Sequence, residues 1–285
     1  MDGLGTSLRP SINDERPASQ LDLTAPSRQS GGVFVVAIHY VPGAGETLAA
    51  PLGEALDKTP YEIKSRLSDP EGGPAVIARY GEIEPAWACA GRLRANDLSP
   101  ILLTPEDVET DARRFLVRSF ELGPQALTAT SRRGETAEIA FRDLELFLRG
   151  VRVDEQTELK TTEQRKFSMA RALVTQGLMM TKTVRKTARV TTASREEFFP
   201  LYAAARPPLV FRAGALDYRS FGGALQPSVQ ANFTQLVERM RQAFPGARYS
   251  ERLLSTQSRS RILGPGLNDN HLDVAISLLA RQLRS

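Results

Sequence analysis

The alternation of apolar and polar positions divides the chain into three parts. The first 32 residues contain no aromatic residue and no apolar periodicity, so they cannot bury enough surface to offset the entropy of ordering. The next stretch combines strand-like and helix-like patterns, whereas most patterns further along are short and strand-like. We therefore expect a disordered tail at 1–32, a small α/β domain at 33–108 and a β-rich domain at 109–285.

The small domain is expected to contain three strands and three helices. The run Val33–Val41 is continuously apolar and rich in β-branched residues, which predicts a strand buried on both faces. Thr59, Pro60 and Glu62 predict a helix start, because Thr can cap the helix while Glu reaches back to the Thr amide. A later helix has one apolar stripe formed by Ala86, Cys89, Ala90 and Leu93. The remaining elements are expected at 46–56, 75–80 and 99–103.

The β-rich domain is predicted from short alternating runs that are followed by helices. The runs lie at 115–122, 126–132, 138–141, 144–153, 183–191 and 209–218. Ser228 caps a strongly amphipathic helix that ends near Phe244, and a last helix begins close to Leu272. The fold class is therefore expected to be α+β: a small three-stranded α/β sandwich followed by an antiparallel barrel-like domain with C-terminal helices.

Part of the small domain resembles a known family. The segment Thr59-Pro-Tyr-Glu-Ile-Lys-Ser-Arg-Leu, then Pro74-Ala-Val-Ile-Ala-Arg-Tyr and the helix from Pro85, carry the likeness. On these segments, residues 33–104 are similar to the C-terminal domain of the bacterial ribosomal stalk protein. That family presents Lys and Arg to translation factors from the preceding helix, whereas residues 46–54 here hold two Glu and no basic residue. The resemblance therefore implies the fold and not the stalk function.

A second, weaker resemblance covers residues 114–244. The stretch from Ala137 to Leu146 is similar to the third and fourth strands of bacterial pleckstrin-homology-like domains. Such domains bind peptides, phospholipid head groups or other proteins. The resemblance implies a binding role without identifying the partner.

Composition and segment lengths narrow the class of protein. The chain is 41% hydrophobic and 25% charged, as in ordinary globular proteins. Its longest charge-free apolar stretch, Val33 to Gly45, is shorter than the ~20 residues that span a bilayer. The first residues lack the pattern of a secretory signal, and the single Cys89 cannot form an internal disulfide. A cytoplasmic protein without a transmembrane segment is expected, and its oligomeric state stays open.

Charge is distributed unevenly along the chain. Residues 1–110 carry 9 Lys and Arg against 16 Asp and Glu, a net charge of −7, whereas residues 111–285 carry 28 against 17, a net charge of +11. Residues 164–195 hold eight cations and no carboxylate. Such a run attracts polyanions or acidic protein surfaces, although a run of this kind is also common on a merely solvated face.

This basic run is the best candidate for function. We expect a non-enzymatic binding or scaffold protein that docks an anionic partner, either an acidic protein surface or anionic lipid head groups, with the acidic domain as a second contact. The predicted partner-binding residues are Arg165, Lys166, Arg171, Lys182, Arg185, Lys186 and Arg189. Apolar residues between the charges would suit a cationic amphipathic element on a membrane or a long connection. Nucleic acid is a further alternative, and an internal contact between the oppositely charged halves is another.

Catalytic chemistry is poorly represented in the sequence. His39 lies inside a strand, His271 opens a helix and Cys89 lies on an apolar stripe, so structural roles are expected for all three. A phosphate-binding loop and a zinc-ligand spacing are both absent. The chain is therefore expected to use no metal or cofactor and to have no catalytic residue.

Overall fold

The computed structural model describes residues 32–167 and 181–284, and it describes 154–167 and 181–193 as backbone. The α+β fold class is confirmed. Two sheets and six α-helices make up the part of the chain between these limits. The helices are α1 (Gly45–Leu56), α2 (Pro60–Arg66), α3 (Ile83–Ala95), α4 (Val229–Ala243), α5 (Thr256–Leu263) and α6 (Leu272–Arg284).

The first sheet has three antiparallel strands in the order β2-β1-β3. The strands are β1 (Phe34–Tyr40), β2 (Gly73–Tyr80) and β3 (Pro100–Leu103). Because β1 is central, both of its faces are covered: Val36 and Ile38 pack towards α1, α2 and α3, whereas Val35 and Ala37 face the opposite side. The expected strand buried on both faces is thus confirmed. His39 differs from its neighbours, since its side chain is exposed rather than packed.

The predicted helix signals of this region are present. The Thr59 hydroxyl accepts from the Glu62 amide, and the Glu62 carboxylate accepts from the Thr59 amide at 2.8 Å, which completes the capping box of α2. The apolar stripe of α3, including Cys89, is fully buried against β1 and β2. α1 continues through Pro51.

The second sheet has seven strands in the order β10-β7-β8-β9-β4-β5-β6. The strands are β4 (Phe115–Leu122), β5 (Ala126–Ser131), β6 (Thr136–Ala140), β7 (Leu144–Phe167), β8 (Thr181–Ala203), β9 (Leu209–Arg212) and β10 (Arg248–Leu253). The sheet is open, because β6 and β10 are its edges and do not pair with each other within the described residues. Most pairings are antiparallel, but β10 pairs parallel with β7, and β4 pairs parallel with β9. The expected antiparallel barrel-like domain is therefore built on a mixed open sheet.

The C-terminal helices cover the second sheet on both sides. α4 packs Phe233, Leu236 and Met240 against one face of it. α5 and α6 occupy the other side, where their apolar residues share one buried cluster with Leu146 of β7 and with Val35 of β1. α5 and α6 therefore lie between the two sheets. The domain boundary expected near residue 108 stays a prediction, although this buried cluster extends across it.

Candidate interface for an anionic partner

Six of the seven predicted cations lie on the two longest strands in the described part of the chain. Arg165 and Lys166 belong to β7, and Lys182, Arg185, Lys186 and Arg189 belong to β8. Arg171 lies outside the described residues. The expected amphipathic element or long connection is instead a regular antiparallel ladder up to the pair Phe167 and Thr181. The apolar residues of 168–180 that suggested that element also lie outside the described residues.

The outer part of this ladder has no further strand beside it. β10 pairs with β7 only as far as Gly150, and β9 pairs with β8 only from Phe198 onwards. From the pair Val151 and Glu197 to the pair Phe167 and Thr181, the two strands pair only with each other in the described part of the chain. At roughly 3.3 Å per residue, this two-stranded ribbon is about 50 Å long. It leaves the sheet next to Gly150, where a side chain would collide with Leu253 and Phe198.

The register separates charge along the ribbon. Its outer half, residues 159–167 paired with 181–189, holds seven Lys and Arg and one Glu. Its inner half, residues 151–158 paired with 190–197, holds two Arg and five Asp and Glu. The net charges are +6 and −3. We call residues 159–167 and 181–189 the basic ribbon segment, and it includes Lys160 in addition to the predicted cations.

The two faces of the basic ribbon segment differ in the kind of cation they carry. Paired positions on neighbouring strands share a face, and successive residues alternate between faces. Since Lys166 pairs with Lys182, all even positions fall on one face. That face holds the four lysines Lys160, Lys166, Lys182 and Lys186 and no carboxylate. The other face holds Arg165, Arg185, Arg189 and Glu163.

Carboxylates at the base of the ribbon are already paired with arginines. Arg149 donates to Glu197 from Nη2 at 2.7 Å and from Nε at 3.1 Å, and it donates to Glu251 from Nη1 at 3.2 Å. Burial opposes the charged form of Arg149, but the hydrogen bonds to Glu197 raise its pKa. Gln230 of α4 donates to the other oxygen of Glu197. The side chain of Arg195, by contrast, is exposed.

The acidic and basic halves of the chain also meet internally. Arg252 of β10 binds Asp69 at 2.8 Å, and Arg281 of α6 binds Asp107 at 2.9 Å. Glu71 lies 3.6 Å from the Nε of Arg252. Three carboxylates of residues 32–110 are thus engaged by arginines of the basic half. Neither Arg252 nor Arg281 belongs to the run 164–195, so an internal contact made by that run stays a prediction.

Sequence reasoning missed a second cationic surface. A groove of about 830 Å³ lies between α2, the edge strand β2 and the loop after α5. Among the described residues that line it, the cations are Lys58, Arg66, Arg79, Arg92 and Arg261, and the one carboxylate is Glu62. These residues are up to about two hundred positions apart, so no local pattern brings them together. Residues 1–110, acidic as a whole, thus contribute a locally basic surface.

Few features of the described residues bear on metal binding, histidine chemistry or membrane insertion. Within residues 32–167 and 181–284, no group of three or more His, Cys, Asp or Glu residues is placed so that it could hold a metal ion. His271 accepts from the Asn268 amide in the turn before α6, in keeping with its expected capping role. No helix in the described part of the chain is long and apolar enough to cross a bilayer.

Comparisons of the chain with models of protein families, with curated proteins and with solved structures return no match. The resemblances to the ribosomal stalk domain and to pleckstrin-homology-like domains therefore stay predictions.

Proposed function

We propose that this chain is a non-enzymatic docking protein whose basic ribbon segment binds an acidic protein partner. The observation that carries the proposal is the register of β7 and β8, which gathers seven cations and one carboxylate into nine residue pairs. With its net charge of +6, the basic ribbon segment attracts an acidic surface over roughly one Debye length, about 10 Å at 0.1 M salt.

The backbone of the ribbon supports a protein partner. Beyond Val151 and Glu197, each strand has one edge that pairs with no other strand in the described residues. Such an edge offers main-chain donors and acceptors to an extended peptide, while flanking cations select acidic side chains. Main-chain hydrogen bonds would thus supply affinity and the cations would supply selectivity at the same edge of the ribbon.

Duplex nucleic acid is the second candidate, and the shape of the ribbon favours it. The major groove of B-DNA admits a two-stranded β-ribbon, and cations on both faces would reach phosphates on either side. Binding of this kind weakens steeply with salt, with a slope that reports the number of phosphates contacted. Anionic membranes are the remaining alternative.

The test uses the full chain and three polyanions: a polyglutamate peptide, duplex DNA and vesicles of anionic phospholipid. One variant replaces Lys166, Lys182, Arg185 and Lys186 with Gln. A matched control replaces four exposed cations that have no ion pair among the described residues, Arg94, Arg113, Arg132 and Arg133, with Gln. Both variants lose the same charge.

We expect polyglutamate to bind the wild type and the control, and to bind the ribbon variant at least about tenfold more weakly, since four contacts between opposite charges are together worth more than ~1.4 kcal/mol. Equal losses in both variants would show that only net charge matters and would contradict the proposal. If DNA or vesicles bind tightly and polyglutamate does not, the partner is a nucleic acid or an anionic membrane and not an acidic protein.

A further inference from the structure

The groove beside β2 has an apolar floor. Ile63 of α2, Val76 and Ile77 of β2, and Leu263 and Leu267 at the end of α5 line it, and each of these side chains belongs to the buried core. Tyr61, which is 80% exposed, and Tyr80 extend the lining towards the rim. Burial raises the pKa of Tyr80 to about 12, so its phenol is neutral at ordinary pH.

One arginine of the groove is fixed as part of its wall. Arg66 donates from Nε to the Val76 carbonyl at 2.7 Å and from Nη2 to the Ile262 carbonyl at 2.7 Å. Its Nη1 donates to the Arg261 carbonyl. Burial lowers the pKa of Arg66 to about 10, which still leaves the guanidinium charged near neutral pH. Arg66 thereby ties α2, the edge of β2 and the end of α5 together.

Two other cations of the groove are not neutralised by the protein. Arg79 and Arg261 have no carboxylate within ion-pair distance among the described residues, whereas Lys58 interacts electrostatically with Glu62. The carboxylate of Glu62 is engaged with Thr59, whose amide and hydroxyl both donate to it at 2.8 Å. The surplus of positive charge therefore faces the groove.

The loop Gly264-Pro-Gly makes room for two of these guanidinium groups. Gly264 and Gly266 have φ values of 73° and 110°, which L side chains rarely adopt. A Cβ at Gly264 would lie 2.9 Å from Arg66 Nε, and one at Gly266 would lie 2.9 Å from Arg79 Nε. The loop thus lets Arg79 lie close beside the groove.

From these features we infer that the groove binds a small amphipathic anion, an alkyl carboxylate or alkyl phosphate, with its chain on the apolar floor and its head group at Arg79 and Arg261. The volume lies within the range of about 300–1,000 Å³ typical of small-molecule sites, which are mostly apolar with a few polar groups that orient the ligand. Five cations against one committed carboxylate select a negative head group. Guanidinium groups match the planar oxygens of carboxylate and phosphate. This site is separate from the basic ribbon segment and does not depend on its function.

The test is calorimetric titration of the full chain with four probes below their micellar concentrations: decyl phosphate, decanoate, decanol and inorganic phosphate. We expect decyl phosphate or decanoate to bind one-to-one, and decanol and inorganic phosphate to bind at least about tenfold more weakly. The relative affinities of decyl phosphate and decanoate identify the head group.

Two variants locate the site. Replacing Arg79 and Arg261 with Gln should weaken the preferred anion at least about tenfold, whereas replacing Arg94 and Arg132 with Gln should leave its affinity unchanged. Equal urea midpoints of the two variants verify that both fold. Absent binding, equal affinity for decanol and the anions, or an unchanged affinity in the Arg79 and Arg261 variant would each overturn the inference.

Discussion

Arg252 Nη2 donates to the Asp69 carboxylate at 2.8 Å, and the two side chains are only 8% and 4% exposed. The same Nη2 also donates to the Gly72 carbonyl at 2.7 Å. Asp69 follows α2 and Arg252 lies on β10, so this buried ion pair joins segments that are 183 residues apart. The acidic part of the chain is thereby connected to the basic part through an interaction shielded from solvent.

Breaking this pair on one side should destabilise the fold strongly. Replacing Asp69 with Ala leaves the buried Arg252 guanidinium with only the exposed Glu71, 3.6 Å from its Nε, as a countercharge, for which a loss of about 3 kcal/mol in the free energy of unfolding is expected. The double variant, Asp69→Ala with Arg252→Met, should lose less unfolding free energy than the sum of the losses in the two single variants, because neither charge is left alone. Urea unfolding of the three variants measures both effects.

An exposed pair provides the control for this prediction. Lys64 and Glu46 form an ion pair whose side chains are 42% and 75% exposed. Replacing Lys64 with Gln should lower the free energy of unfolding by less than about 1 kcal/mol. Comparable losses for Lys64 and Asp69 would contradict the role assigned to burial.

Arg259 is the largest fully buried side chain among those that the structure describes, and its hydrogen bonds require a guanidinium. It donates to Asp269 from Nε at 3.0 Å and from Nη2 at 2.9 Å, and it donates to the Leu253 carbonyl from Nη1 at 2.8 Å. Lysine keeps the charge but cannot make these bonds together, so replacing Arg259 with Lys should cost about 2–3 kcal/mol. Replacing the half-buried Arg261 with Lys should change stability by no more than about 0.5 kcal/mol. Thermal and urea unfolding of the two variants check the difference.

Local signals explain which parts of the fold the sequence predicts. The capping box of α2 and the apolar stripe of α3 depend on residues a few positions apart, and both are present. The parallel pairing of β10 with β7 joins residues about one hundred positions apart and leaves no local trace. Beyond Val153, β7 carries mostly polar and charged residues, so the alternation that marks a half-buried strand is missing although the strand continues to Phe167.

The candidate site was predictable only as a list of cations. Their number follows from the sequence, but the register decides that Lys182 lies opposite Lys166 and that Asp154, Glu155 and Glu158 lie opposite Ser194, Ala193 and Val190. The basic surface is therefore narrower than the run 164–195 and also includes Lys160. The groove beside β2 was not predictable, since Arg79 and Arg261 line the same groove only through the packing of α5 on the edge strand.

Asp111 should make stability dependent on acidic pH. Burial alone would raise the pKa of Asp111, but its hydrogen bond with Arg212 and the charges of Arg152 and Arg114 hold the pKa below the ordinary 3.8. A carboxylate with a lowered folded-state pKa contributes stability above its unfolded-state pKa, and this contribution is lost as the pH falls through the lowered value. The wild type should therefore exceed an Asp111→Asn variant in unfolding free energy at about pH 7, and the difference should shrink below about pH 4.

Urea unfolding at both pH values measures this difference. The exposed Asp143 serves as the control, and an Asp143→Asn variant should remain within about 0.5 kcal/mol of the wild type at either pH. A gap between the wild type and the Asp111 variant that stays constant down to about pH 3 would contradict the assignment.

The two faces of the basic ribbon segment allow a test of how charge is used, given the proposed function. Replacing Lys160, Lys166, Lys182 and Lys186 with Gln removes every cation from one face, whereas replacing Arg165, Arg185 and Arg189 with Lys keeps the charge and removes the bidentate donors. If charge alone attracts an irregular acidic chain, the first variant should bind polyglutamate at least about tenfold more weakly than the wild type at low salt. This difference in affinity should fade at high salt. The second variant should stay within about threefold of the wild type. If the variant without the four lysines keeps full affinity and the Arg-to-Lys variant loses much of its affinity, the arginine face recognises the partner. Simple attraction between opposite charges is then excluded.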